Sequence, residues 1–303
     1  MLRFLPPVIR GILTFLFLIA NTLFWCALLF VLSLFKLVLP AAQGRKRLDP
    51  LINALATAWV SCNSVWLQWS LHTRWDVEGV DALRYNDWYL VNCNHQSWVD
   101  IFVLQNTLNR RIPLLKFFLK QSLIYVPVIG LAWWALDFPF MKRHSRAALR
   151  KNPELRNEDR ISARRACAKF AYVPTSVMNF AEGTRFSAEK HKAQESPYRY
   201  LLKPKTGAIA MALEAMGEKF HAMVDVTIVY PSGIPSFWDY VCGRVPVIAV
   251  RVRELEIPPE LCVGDYETNR SLRQAFHRWM DGIWLQKDQD IAQLLERHPP
   301  PEA

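Results

Sequence analysis

His95 and Asp100 stand five residues apart in Asn94-His95-Gln96-Ser97-Trp98-Val99-Asp100. A neutral imidazole takes a proton from a hydroxyl when a carboxylate holds its other nitrogen and stabilises the imidazolium that forms. The spacing restricts how such a pair is built. Along one continuous helix, five residues turn through about 500°, leaving the side chains about 140° apart. The pair therefore needs a corner, with His95 ahead of a helix and Asp100 in its first turn. The flanking sequence predicts one: Trp88 to Cys93 reads as a short strand, and Ser97 as the cap of a helix over Ser97 to Asn109. The same residues allow a plainer reading. Ser97-x-x-Asp100 resembles a capping box, which asks of Asp100 only that it close the helix terminus.

The second motif is Asn179-Phe-Ala-Glu-Gly-Thr-Arg-Phe186. A strand runs into Glu182, Gly183, Thr184 and Arg185. Gly183 lets the backbone come close to a ligand. Arg185 offers a planar fork of donors suited to phosphate, and Thr184 adds a hydroxyl. The plainer alternative is a strand-end turn carrying a surface Glu182–Arg185 pair.

Several elements must position these residues. Asp76 to Val80, Ser176 to Ala181, Ala222 to Tyr230 and Val245 to Leu255 read as further strands. Arg160 to Tyr172, Thr206 to Met216 and Ser271 to Leu295 read as helices. Strands alternating with helices predict a layered α/β fold.

The N-terminus is of another kind. Gly11 to Phe35 is uncharged over 25 residues, about 38 Å as a helix, against a hydrocarbon core of about 30 Å. It is long enough to span with tilt. Lys36, Arg45, Lys46 and Arg47 follow it, and the positive-inside bias then places the rest of the chain in the cytoplasm. A cleaved leader ending near Leu39-Pro-Ala-Ala-Gln43 is the alternative. Leu51 to His72, with Trp59, Trp66 and Trp69, reads either as a buried amphipathic helix or as an interfacial helix completing a membrane hairpin. Ile112 to Met141 is apolar but interrupted, and is expected to be buried or membrane-facing surface rather than a second crossing.

Composition narrows the partners. Hydrophobic residues make up 51% of the 303, which excludes general disorder. Lys+Arg 37 against Asp+Glu 27 gives +10, which favours an anionic partner. The excess is concentrated in Lys142 to Lys169, with ten Lys/Arg against three Asp/Glu. A basic belt beside an apolar surface suits anionic lipid headgroups. No nucleic-acid-binding signature is present, and nucleic acid is not expected as a partner. Six scattered cysteines without a CxxC spacing predict neither a zinc site nor a disulfide framework.

Taken in order, the two motifs and the segments between and after them resemble the glycerolipid acyltransferase family, the 1-acyl-glycerol-3-phosphate acyltransferases and their lysophospholipid relatives. The family's first block is Asn94 through Asp100. Lys120, Leu123, Pro127 and Gly130 follow, then Pro139-Phe-Met-Lys-Arg143, then Glu182 to Arg185, then Val224-Asp-Val-Thr-Ile-Val-Tyr-Pro231. Ala181 and Lys142 depart from the usual Pro and Asp. Glu182 to His191 looks like the long-chain, lysocardiolipin-like subgroup. The resemblance implies a mixed α/β sheet flanked by helices, preceded by an N-terminal membrane helix or hairpin. The resemblance covers roughly Trp75 to Pro231, and with the reading of the flanks it divides the chain into anchoring helices over 1–74, an acyltransferase domain over 75–297 and a tail over 298–303 expected to fray. It implies that His95 is the general base and Asp100 its partner. Lys120, Arg143, Glu182, Gly183, Thr184 and Arg185 would bind a lysophospholipid acceptor. Acyl-CoA or acyl carrier protein would be co-substrate, with no cofactor and no metal.

Overall fold

The computed structural model describes residues 4–39, 41–141, 170, 173–266 and 268–299. Two long helices come first, α1 (Pro7–Val38) and α2 (Ala41–Ser70). They pack as a hairpin. Trp66 stacks on Phe17 with ring centroids 4.0 Å apart, and Asn21 Nδ2 donates to Asn63 Oδ1 at 2.8 Å. Trp59 also packs inward, whereas Trp69 is exposed. α1 is long and apolar enough to cross a membrane by length and composition. Its outward face exposes Leu16, Leu23, Phe24, Leu34 and Phe35. Both its ends are tied to the body. Arg10 meets His72 and the Cys242 carbonyl, and Lys36 Nζ lies 2.7 Å from both Asp49 and Asp137. α2 starts well before Leu51, because its charged first turns include Asp49, the partner of Lys36.

The body runs β1 (Arg74–Glu78), β2 (Tyr89–Cys93), α3 (Val99–Leu108), β3 (Leu115–Phe117), β4 (Leu119–Lys120), α4 (Ile129–Ala135) and β5 (Phe140–Met141). It continues with β6 (Ser176–Phe180), α5 (Ala188–Ala193), α6 (Gly207–Met216), β7 (Ala222–Val229), α7 (Phe237–Val241), β8 (Val247–Leu255) and α8 (Arg270–Arg297). The main sheet has the order β1-β8-β7-β2-β6-β3, and β4 pairs with β5 separately. Only the β7–β8 pairing in the main sheet is antiparallel. This is the layered α/β fold that the alternating strands and helices predict, with the mixed, helix-flanked sheet that the resemblance implies. β2 and β7 are buried at every residue, as strands covered on both faces must be. In the register Cys93 stands opposite Phe180 on one side and Val226 on the other. The loops after β2, β6 and β7 therefore open at one edge of the sheet.

Some boundaries move for local reasons. β1 stops at Glu78, because Gly79 turns the chain at φ +86° and a Cβ there would sit 1.9 Å from the Val252 carbonyl oxygen. β8 starts after Pro246, which has no N–H for the ladder. Ile112 to Met141 holds short strands, a 3₁₀ turn at Gln121–Tyr125 and α4, and exposes Tyr125, Leu131 and Trp134. The tail is held at its first residue, where His298 Nε2 lies 2.7 Å from Asp76. The basic stretch Lys142 to Lys169 lies outside the described residues, as does the helix expected at Arg160 to Tyr172 apart from Phe170.

One charged network runs through the core. Asp225, in the middle of β7, accepts from Asn92 on β2 at 2.8 Å and from Arg253 on β8 at 2.7 Å. Lys287 of α8 reaches it at 2.9 Å and also donates to the Val226 carbonyl at 2.6 Å. Asp225 and Lys287 are both fully buried. A buried carboxylate requires paired cations, and here the pairing fixes α8 across the sheet.

Candidate active site

β2 ends at Cys93 and α3 starts at Val99, so His95 lies in the corner and Asp100 in the first helical turn. His95 Nδ1 is 2.8 Å from Asp100 Oδ2. That oxygen also accepts from the backbone N–H groups of Gln96 at 2.6 Å and Ser97 at 2.9 Å. Asp100 thus closes the helix terminus and holds the imidazole at once, so the two sequence readings coexist. Ser97 does not cap as a capping box would. Its hydroxyl donates to the Pro235 carbonyl at 2.6 Å and accepts from the Val99 N–H at 3.2 Å. The His95 ring stacks on Phe180 at 3.9 Å, and its side chain stays 15% exposed. With Nδ1 engaged, Nε2 is the nitrogen left to take a proton.

The end of β7 and the loop after it grip this corner. The Asn94 amide pairs with Ile228 as a strand would, donating to its carbonyl and accepting from its N–H, both at 2.9 Å. Tyr230 donates its hydroxyl to Asp100 Oδ1 at 2.7 Å. The grip explains why the motif carries Asn94 and Ser97 as well as the histidine and the carboxylate.

The Glu182 turn follows β6 and lies against the same corner. Phe186 N–H donates to the His95 carbonyl at 2.7 Å. Gly183 sits at φ +67°, and a Cβ there would meet Lys205 Nζ at 3.0 Å. The Arg185 guanidinium lies over the exposed Trp98 ring, 4.9 Å from its centre. Lys190 Nζ crosses the turn and donates to Thr184 Oγ1 and the Arg185 carbonyl, each at 2.8 Å. Arg185, Lys190 and Lys205 therefore bring three cationic side chains to one turn. Lys120 is exposed at the end of β4, paired with Met141. Arg143 lies outside the described residues.

Glu182 is placed differently from either reading of the sequence. It is fully buried, accepting from the His95 N–H at 2.9 Å and the Leu202 N–H at 3.2 Å. It neither faces a ligand, as the resemblance implied, nor pairs with Arg185 at the surface. It supports the histidine's backbone from beneath. Burial pushes its carboxyl up to about 7, against the lowering effect of those two N–H groups and of Lys287. A folded-state value above the unfolded 4.5 means that the buried form resists ionisation. The stability gained by keeping the proton is complete below about pH 4.5 and is lost as pH rises through about 7. Between those limits the wild type should lose of order 3 kcal/mol relative to Glu182→Gln. Denaturation of both proteins across that range reads the difference, and parallel curves would refute it.

Sequence reasoning missed Tyr230 and the Asp225–Lys287 network. A signal existed for the second, since an aspartate inside Ala222-Met-Val-Asp-Val-Thr-Ile-Val229 needs a cation. Among the described residues no group of three His, Cys, Asp or Glu side chains is arranged to hold a metal ion.

An α/β sheet that presents a His–Asp pair where parallel strands end has the layout of a general-base enzyme. The family model described as Acyltransferase matches residues 74–234, more than half of the chain, and the protein belongs to that family. Mouse 1-acyl-sn-glycerol-3-phosphate acyltransferase epsilon is 24% identical over 213 residues, covering 60% of this chain and 56% of that protein. The mouse gamma enzyme is 28% identical, covering 66% of this chain and 51% of the relative. The chain thus spans little more than half the length of these relatives. The crystal structure of the 1-acyl-sn-glycerophosphate acyltransferase PlsC from Thermotoga maritima superposes with a TM-score of 0.51 at 16% identity. That match covers 91% of this chain and 97% of the other and shows a shared fold.

Proposed function

We propose that the protein transfers a fatty acyl group from a thioester, acyl-CoA or acyl carrier protein, to the free hydroxyl of a lysophospholipid. The first candidate acceptor is 1-acyl-glycerol-3-phosphate, giving phosphatidic acid. The observation that carries this reading is the Nδ1–Asp100 contact, which leaves Nε2 as the base. Nε2 takes the hydroxyl proton as the oxygen attacks the thioester carbonyl. The carbon–sulfur bond then breaks, and the imidazolium returns the proton to the departing thiolate. Asp100 stabilises the imidazolium between these steps. Side-by-side binding of acceptor and thioester contributes up to about 7–11 kcal/mol to such a reaction.

The cationic turn of Arg185, Lys190 and Lys205 supports an acceptor with a phosphate headgroup, and Gly183 and Thr184 shape that turn. Lys120 and Arg143 are proposed as further phosphate partners. The activity for which the mouse relatives are named favours the same acceptor. The apolar outward face of α1 and the exposed Trp98 support work at a membrane surface, and the cations Arg45, Lys46 and Arg47 that follow the apolar segment favour a catalytic domain on the cytoplasmic side. The test is purified full-length protein given a panel of lysophospholipids with each donor, read by mass spectrometry. Phosphatidic acid from lysophosphatidic acid is the expected product. Phospholipid from lysocardiolipin or lysophosphatidylglycerol alone would reassign the acceptor. Free fatty acid without phospholipid would make the protein a thioester hydrolase and overturn the reading.

A further inference from the structure

We propose that Tyr230 is a positioning residue for the His95–Asp100 pair, its hydroxyl fixing the carboxylate that holds the imidazole. The proposal rests on the general-base reading above. The two oxygens of Asp100 are held in different ways. Oδ2 is met by His95 Nδ1 and by the N–H groups of Gln96 and Ser97. Oδ1 is met by the Tyr230 hydroxyl at 2.7 Å. Rotation about Cβ–Cγ moves both oxygens together, so the Tyr230 bond to Oδ1 adds an anchor from a distant element to those that the corner itself places on Oδ2. Rotation carries Oδ2 off the line to Nδ1.

Tyr230 is itself fixed by three features of its surroundings. It directly follows β7, the central strand next to β2. The next residue, Pro231, restricts its backbone, and its carbonyl accepts from the Gly233 N–H at 3.0 Å. Its ring also lines a cavity of about 230 Å³ shared with Pro235, Arg244 and Val245. Without the hydroxyl, Oδ1 faces an apolar ring edge and is left unpaired. Tyr230 is 5% exposed and Asp100 1% exposed, so bulk water does not replace the bond in place. A residue that served only to fill space would lose nothing when its ring was kept and its oxygen removed.

The test is therefore Tyr230→Phe, in purified full-length protein labelled with ¹⁵N-histidine. Turnover of lysophosphatidic acid with acyl-CoA should show kcat lowered about ten- to a hundredfold, the range expected for a bond to a charged group. KM for both substrates should stay within about twofold, because Tyr230 touches neither in this scheme. The ring N–H resonance of His95, assigned by its absence in His95→Gln, should broaden or move in the variant. Unchanged kcat together with an unchanged resonance would overturn the proposal. So would a lower kcat accompanied by an equal rise in KM and an unmoved resonance. Failure of the wild type to acylate any lysophospholipid would count against the functional reading alone, and the resonance would still decide the role of Tyr230.

Discussion

His95→Ala should abolish acyl transfer, lowering kcat by about 10² to 10⁴ while leaving the fold intact. The separation of these effects follows from how Asp100 is held. Removing the imidazole takes one donor from Oδ2, but the N–H groups of Gln96 and Ser97 remain on it and Tyr230 remains on Oδ1. The buried carboxylate stays satisfied, so the corner keeps its shape. The histidine also loses its stack on Phe180, at a site that is already partly exposed. Asp100→Ala is a poorer probe, because it strands three of the donors that the carboxylate now satisfies and would cost stability as well as activity. Purified His95→Ala compared with wild type, by transfer assay and by thermal melting, checks the expectation. Transfer near the wild-type rate would remove the imidazole from the mechanism.

The second large effect concerns stability. Asp225→Ala should destabilise the domain by about 3–5 kcal/mol, the range for breaking a buried ion pair by removing one partner. Lys287 would be left fully buried without its carboxylate, keeping its hydrogen bonds to the Val226 carbonyl and the Thr227 hydroxyl. Against a total of about 5–15 kcal/mol for a folded domain, that loss is severe. Lys287→Met should cost less, since Arg253 at 2.7 Å and Asn92 at 2.8 Å still hold the carboxylate. The double variant Asp225→Ala with Lys287→Met should recover more than half of the Asp225→Ala loss, because no unpaired ammonium is then left buried. Denaturant unfolding of the three proteins reads the cycle. Simple addition of the two single losses would show that the pair is not coupled.

The parts of the fold readable in the sequence are those where one force dominates. β2, β6 and β7 are short, mostly apolar runs, and the register that aligns their ends follows from packing them side by side. The strand-to-helix corner was readable because the five-residue spacing of His95 and Asp100 rules out a continuous helix. β3 was not readable. It has three residues, one of them Lys116, and becomes a strand only because β6 offers it a free edge. The role of Glu182 was hidden for a different reason. A carboxylate beside Gly, Thr and Arg reads as a surface group, and only the approach of Leu202, 20 residues on, shows that it is enclosed. Tyr230 was hidden because an aromatic side chain ending an apolar strand is expected to pack, and nothing local announces that its oxygen meets a residue 130 positions earlier.

The ties at the two ends of α1 also bear on how the chain is made. Arg10 finds its carbonyl partner on Cys242, 232 residues later in the chain. At synthesis rates of about 5–20 residues per second, that partner does not exist until roughly ten to fifty seconds after the arginine is translated. For that interval a greasy rod more than thirty residues long has only α2 to rest on, and its outward apolar face has no protein surface against it. A nascent chain of this kind needs lipid or a holding chaperone at the ribosome exit before its own body can take over.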